Sequence, residues 1–136
     1  MLVTIVFGVF LVAHGMVYAM YAAHAMRMFE LKPGMTWPDA SWALSGLIGD
    51  SAVRWLVAVL FLLVAAGFAV SGAALMFRQS WWGVLAAAAA VISTLLLLLV
   101  WDGRLQGLSE QGLYAVLINA GVVMCALALH WPKIAG

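Results

Sequence analysis

Charge is scarce in this sequence: of 136 residues, six are Lys or Arg and five are Asp or Glu, a formal net charge of +1. No basic run exists that could hold a phosphate backbone, so nucleic acid is not an expected partner. Cysteine is nearly missing as well. Cys125 stands alone in an apolar run, which excludes an intrachain disulfide, a CxxC redox pair and a zinc knuckle. Proline occurs only at Pro33, Pro38 and Pro132, leaving the stretches between them free to be helical. The longest polar segment, between Phe29 and Ser51, is too short to enclose a core of its own. A separate soluble catalytic domain is therefore excluded.

Apolar residues dominate instead, at 68% of the chain with a mean hydropathy of +1.15, far above what a soluble domain of this size carries. A membrane-crossing helix needs about 20 mostly apolar residues. Four such stretches can be cut with charges only at their borders, about 2–29, 52–77, 81–101 and 112–131. The expected fold is all-α: an integral membrane four-helix bundle with antiparallel neighbours, forming one domain over 1–136. An even number of passes puts both termini on the same side. The opening run, Met1 to Val12, lacks the positive flank of a secretory signal and is read as a retained first helix.

The breaks are explicit. Pro33-Gly34 and Trp37-Pro38-Asp39 stop the first helix, and a short interfacial helix is expected from Trp42 through Ile48 in the first loop. Gly49 ends it, and Asp50 or Ser51 caps the second long helix, which runs to a border at Arg78. The turn Gln79-Ser80 forces the third helix to lie antiparallel beside the second. Asp102-Gly103 ends the third and Pro132 stops the fourth. Trp55, Trp81, Trp82, Trp101 and Trp131 fall near these borders, as an aromatic belt requires. Ala65, Ala69 and Ala73, with Gly67 and Ser71, form small-residue stripes suited to close helix packing.

With a rise of about 1.5 Å per residue, heights in the bundle can be estimated. His14, Ser93, Thr94 and Asn119 all come out near the bilayer midplane and are expected to form one polar layer. Tyr18 and Tyr21 follow His14 by four and seven residues on the same helix face, with His24 one turn beyond. At the loop end of this stripe stand Asp102, Glu110 and Tyr114. Polar groups at membrane depth face the bundle interior and often mark a ligand or proton pathway, although interhelical hydrogen bonding explains them equally. Asp102 and Glu110 also read as loop carboxylates paired with Arg104, Arg27 or Arg54. No metal site is expected. His14 and His24 are about 15 Å apart along the axis and about 80° out of phase, and His130 lies at the opposite end.

The stretch Ile5-Val6-Phe7-Gly8-Val9-Phe10-Leu11-Val12-Ala13-His14-Gly15 resembles the first helix of the DoxX-like membrane proteins, which carry a Gly, a Phe and a His-Gly pair at similar positions. The resemblance covers this helix and the overall plan. It implies a compact four-helix bundle with a cavity for an apolar ligand, as in the related EXPERA fold of sterol-handling proteins, and some members accompany quinone-linked or thiol oxidoreductases. The acidic residue that DoxX proteins often place inside the second helix has no counterpart here.

The expected function is a non-enzymatic membrane protein whose interior binds an apolar molecule such as a lipid, sterol or quinone. His14, Tyr18, Tyr21, His24, Asp102 and Asn119 are the expected ligand-binding residues, with no catalytic residue and no cofactor assigned. Membrane lipid is the expected partner. Two alternatives stand beside this reading: an accessory subunit of a larger membrane complex or a homo-oligomer, and a small membrane enzyme using Asp102 or Glu110 with His24 for proton transfer.

Overall fold

The structure, a computed structural model, describes residues 1–35, 37–38, 40–103 and 111–134. Asp39, Arg104 and Glu110, singled out in the sequence, lie outside these residues. The described chain is helical and contains no strand. Its elements are α1 (Leu2–Ala25), α2 (Ser45–Ile48), α3 (Asp50–Met76), α4 (Trp82–Val100) and α5 (Leu113–Val123), the last continued by a π-helical turn, Met124–Ala128. Three of these helices, α1, α3 and α4, are long and apolar enough to cross a membrane.

Helix ends differ from expectation in three places, each for a visible reason. Instead of continuing to residue 29, α1 stops at Ala25, because Arg27 adopts a left-handed φ of 63°. The Arg27 N–H then donates to His24 O and the Met28 N–H to Ala23 O, both at 3.0 Å. The end of α3 repeats this closure, with Arg78 at φ 59° and bonds from Arg78 N–H to Leu75 O (2.9 Å) and Gln79 N–H to Ala74 O (2.8 Å). Glycine usually fills this position, but an arginine brings positive charge to the negative end of the helix dipole. The fourth helix is not one α-helix over 112–131. It has eleven α residues and five π residues, with Leu129 N–H reaching back to Met124 O at 2.9 Å. Finally, α2 is a four-residue turn that begins at Ser45 rather than Trp42. The hydroxyl of Ser41 accepts the Ala43 and Leu44 N–H groups at 3.3 Å and holds the segment before it in a turn.

Antiparallel packing joins α1 to α3, α3 to α4, and α4 to α5. The α1 seam alternates steps of four and three residues through Thr4, Gly8, Leu11, Gly15, Tyr18, Ala22 and Ala25, all buried, the period of a left-handed coiled seam. Glycine is needed at two levels of it. A side chain on Gly15 would meet Ala65 O at 2.8 Å and Phe68 Cβ at 3.0 Å, and one on Gly72 would strike the Gly8 backbone. At the next interface the Ser71 hydroxyl donates to Trp82 O at 2.7 Å, tying the last turns of α3 to the start of α4. Ser71→Ala is expected to lower stability by about 0.6–1 kcal/mol, read as a shift in thermal unfolding in detergent.

The apolar interior also encloses polar side chains, while much of the outer surface is apolar as well. His14, Ser71, Ser93 and Asn119 are buried, whereas Leu63 is 63% exposed, Val84 70% and Leu117 60%. Water-soluble folds keep large apolar side chains off the surface to a far greater extent, and exposed apolar surface on this scale suits hydrocarbon. The first loop folds back over one end of the helices. Trp37 is buried there, edge-on to Tyr21 at 5.4 Å and against Phe61 at 6.3 Å.

Candidate functional site

The polar layer expected near mid-height exists, and Asn119 is its hub. From α5 its amide reaches α1 and α4 together. Asn119 Oδ1 lies 2.8 Å from His14 Nε2 and 3.2 Å from the Tyr18 hydroxyl. Asn119 Nδ2 lies 2.8 Å from Ser93 Oγ, 2.9 Å from Thr94 Oγ1 and 2.9 Å from the Tyr18 hydroxyl oxygen. Donor counting fixes the directions. Ser93 and Thr94 each donate to Ala90 O, at 3.0 and 2.8 Å, so both hydroxyl oxygens are free to accept the two Nδ2 hydrogens. Oδ1 then accepts from His14 Nε2–H and from the Tyr18 hydroxyl. Every polar group named finds a partner, which a water-free interior requires.

An aromatic stack holds this hub in place. The His14 ring lies 4.8 Å from Phe68 in an edge-on contact and 5.3 Å from Tyr18, while Tyr18 stacks on Phe68 at 5.7 Å. This packing leaves His14 at 3% exposure and Tyr18 at 0%. Phe68 sits on α3, so all four long helical segments meet around the hub.

The remaining expected residues are placed separately. Tyr21 is buried one turn above Tyr18, between Trp37 and Phe61. His24 closes the end of α1, its Nδ1 2.9 Å from Phe29 O and 3.3 Å from Leu31 N, and its buried Nε2 has no partner among the described residues. Asp102 belongs to the far end of α4, where its carboxylate accepts from Gln111 Nε2 at 3.0 Å and its N–H donates to Gln111 Oε1 at 3.2 Å. Tyr114 is 64% exposed and faces away from the interior. No group of three His, Cys, Asp or Glu among the described residues is placed to hold a metal.

Open space lies beside the hub. A groove of about 530 Å³ runs between α4 and the α5–π segment, lined by Leu95, Val116, Ala120 and Met124 among others, with Thr94 and Asn119 as its polar residues. Of the six expected ligand residues, Asn119 lines this groove and Asp102 lines a pocket at the loop end. His14, Tyr18, Tyr21 and His24 pack inside and support these positions. Two contributors escaped the sequence reading: Gln111, whose side chain clamps Asp102, and Trp37, whose only sequence signal was an aromatic beside Pro38. Comparison with protein-family models, with curated proteins and with solved structures gives no match for this chain.

Proposed function

We propose that this chain is a four-pass membrane protein that holds an apolar, hydroxyl-bearing molecule, a sterol or lipid alcohol or quinol, in the groove between α4 and α5. The observation that carries the reading is the hydrogen-bond valence at the groove. Thr94 Oγ1 donates to Ala90 O and accepts from Asn119, which leaves one lone pair to accept a further donor. Asn119 is already satisfied on both ends of its amide. A ligand hydroxyl placed against Thr94 would donate to that lone pair, whereas a molecule offering only carbonyl oxygens would find no donor there. The remaining lining is apolar, and about 530 Å³ falls within the range of small-ligand clefts, about 300–1,000 Å³. The π turn forms one wall, and such turns recur at functional sites. The resemblance of the first helix to DoxX-like proteins points in the same direction, and His14 of that resembling stretch serves by positioning Asn119.

The accessory-subunit reading draws support from the other flank. There Leu2, Val3, Val6, Phe7, Phe10 and Trp131 line a wholly apolar cleft of about 570 Å³, a shape a partner helix could fill.

Mass spectrometry of the chain purified in gentle detergent separates the two. The groove reading expects a near-stoichiometric hydroxylated lipid, lost in Ala120→Trp, which fills the groove from an exposed position, with the thermal midpoint retained. Stoichiometric partner chains with no bound small molecule would sink it in favour of the subunit.

A further inference from the structure

A slot lies at the end of the bundle opposite the first loop, between the start of α4 and the π-helical end of the last segment. It encloses about 270 Å³ and is lined by Ser80, Val84, Leu127 and His130 among others. Its inner wall is tight, since a side chain on Gly83 would meet Ala126 O at 3.5 Å. The mouth is polar and the walls below it are apolar. Ser80 and His130 stand at the mouth, beyond the helix ends, while Val84 and Leu127, 70% and 49% exposed, lead down the outer face. Trp81 and Trp131, both about half exposed, flank this level, where an interfacial aromatic belt sits.

The charged side chains of this end are cationic. All five acidic residues of the chain belong by position to the opposite end: Glu30 and Asp39 in the first loop, Asp50 at the first residue of α3, and Asp102 and Glu110 between α4 and α5. At the end with the slot, Arg78 comes two residues before Ser80 and Lys133 directly follows Pro132, both exposed, so a cationic residue adjoins the lining on each side. Left-handed backbone at Arg78 (φ 59°) and His130 (φ 48°) carries these two residues beyond the helices they follow. Helix dipoles leave the sign unchanged, because the starts of α1 and α4 and the ends of α3 and the π segment meet here and offset one another. The terminal ammonium and carboxylate are likewise of opposite sign, so the side chains decide.

We propose that this slot binds an anionic phospholipid, its phosphate at the mouth and an acyl chain along Val84 and Leu127. Hydrogen bonds to the phosphate come from the Ser80 hydroxyl and a ring N–H of His130, and the long side chains of Arg78 and Lys133 supply the charge. The headgroup class follows from what this end lacks. The ammonium of a choline or ethanolamine lipid would stand beside Arg78 and Lys133 with no carboxylate side chain to receive it, whereas a phosphatidylglycerol headgroup adds only hydroxyls. A lipid is favoured over a free anion because the slot opens at the tryptophan level onto an apolar outer face. The proposal rests on α4 spanning the membrane and is independent of the ligand in the mid-height groove.

The test titrates the full chain in maltoside micelles, by calorimetry, with three probes: dioctanoylphosphatidylglycerol, dioctanoylphosphatidylcholine and glycerol 3-phosphate. Phosphatidylglycerol is expected to bind about tenfold tighter than phosphatidylcholine, with glycerol 3-phosphate weaker than phosphatidylglycerol. Arg78→Gln and Lys133→Gln should each cost phosphatidylglycerol about fivefold and spare phosphatidylcholine. Lys32→Gln removes the same charge from the first loop, at the opposite end, and should leave the phosphatidylglycerol affinity unchanged. Equal affinity for the two lipids overturns the proposal, as does an unchanged phosphatidylglycerol affinity in Lys133→Gln. A Lys32→Gln loss as large as that of Lys133→Gln also overturns it, because the effect would then belong to the net charge of the chain and not to the slot. Glycerol 3-phosphate binding as tightly as phosphatidylglycerol overturns the lipid source and leaves a free phosphate. Should Arg78→Gln fail to fold, Lys133→Gln, exposed and outside every helix, decides. The lipid preference is read on its own, so a chain that copurifies with no hydroxylated lipid still decides it.

Discussion

Asn119→Leu is expected to lower the stability of the folded chain by about 2–3 kcal/mol. Leucine keeps the heavy-atom count and branching of asparagine and replaces its amide by methyl groups, so the loss comes chiefly from hydrogen bonding. The substitution strands His14 Nε2 and the Tyr18 hydroxyl, which lie 2.8 and 3.2 Å from Asn119 Oδ1. Ser93 and Thr94 keep their own bonds to Ala90 O and lose only a donor. Single interhelical bonds in bilayers average about 0.6 kcal/mol, so the size of the effect depends on several of them converging on one amide. Ser93→Ala or Thr94→Ala should each cost under about 1 kcal/mol, because the other hydroxyl still receives Nδ2. Unfolding in mixed detergent micelles measures all three variants. An Asn119→Leu loss no larger than that of Ser93→Ala would mean the hub is not cooperative.

A larger disruption is expected from Gly15→Leu. Its side chain would be driven into Ala65 O and the Phe68 Cβ, and neither backbone nor helix-borne Cβ can swing aside. Overpacking of this kind costs about 1–3 kcal/mol and sometimes more. Here the helices must separate at the level of the His14–Phe68 contact, so the upper end or outright failure to fold is expected. Gly121→Leu provides the contrast, because nothing lies within 4 Å of a Cβ built there. That variant should stay within about 0.5 kcal/mol of the unaltered chain. Spin labels at exposed Phe10 and Val70 would report a widened α1–α3 distance in Gly15→Leu alone.

Much of this architecture is legible in the residues themselves. Helix heights follow from counting residues, so His14, Ser93, Thr94 and Asn119 were assignable to one layer from the positions of the helix borders. Counting gives height and not azimuth. It could not tell that Asn119 would face both α1 and α4, or that Tyr21 and His24 would be sealed beneath a loop tryptophan. The end of α1 was hidden because an arginine in the left-handed region carries no sequence signal comparable with glycine, whereas the border at Arg78 placed the end of α3 to within one residue. The π turn was hidden for a related reason: Met124 through Ala128 is as apolar as any α segment, and its extra residue per turn is a matter of packing. Asp102 was identifiable as a candidate, but its partner Gln111 is a polar side chain after a long connection, and nothing local joins the two.

The inequality of the helices has a consequence for where such a chain can reside. At about 1.5 Å per residue, the 27 residues of α3 extend roughly 40 Å. The eleven α and five π residues of the last segment reach only about 24 Å, against a hydrocarbon thickness of about 30 Å. On the four-pass arrangement proposed above, the long helix would tilt or project while the bilayer thins beside the short one, and hydrophobic mismatch of this kind costs fractions of a kcal/mol per Å. The deficit is local to the flank that carries the groove. In that arrangement lipid next to α5 would be compressed and disordered, and a thinner membrane would favour this protein over a thick one.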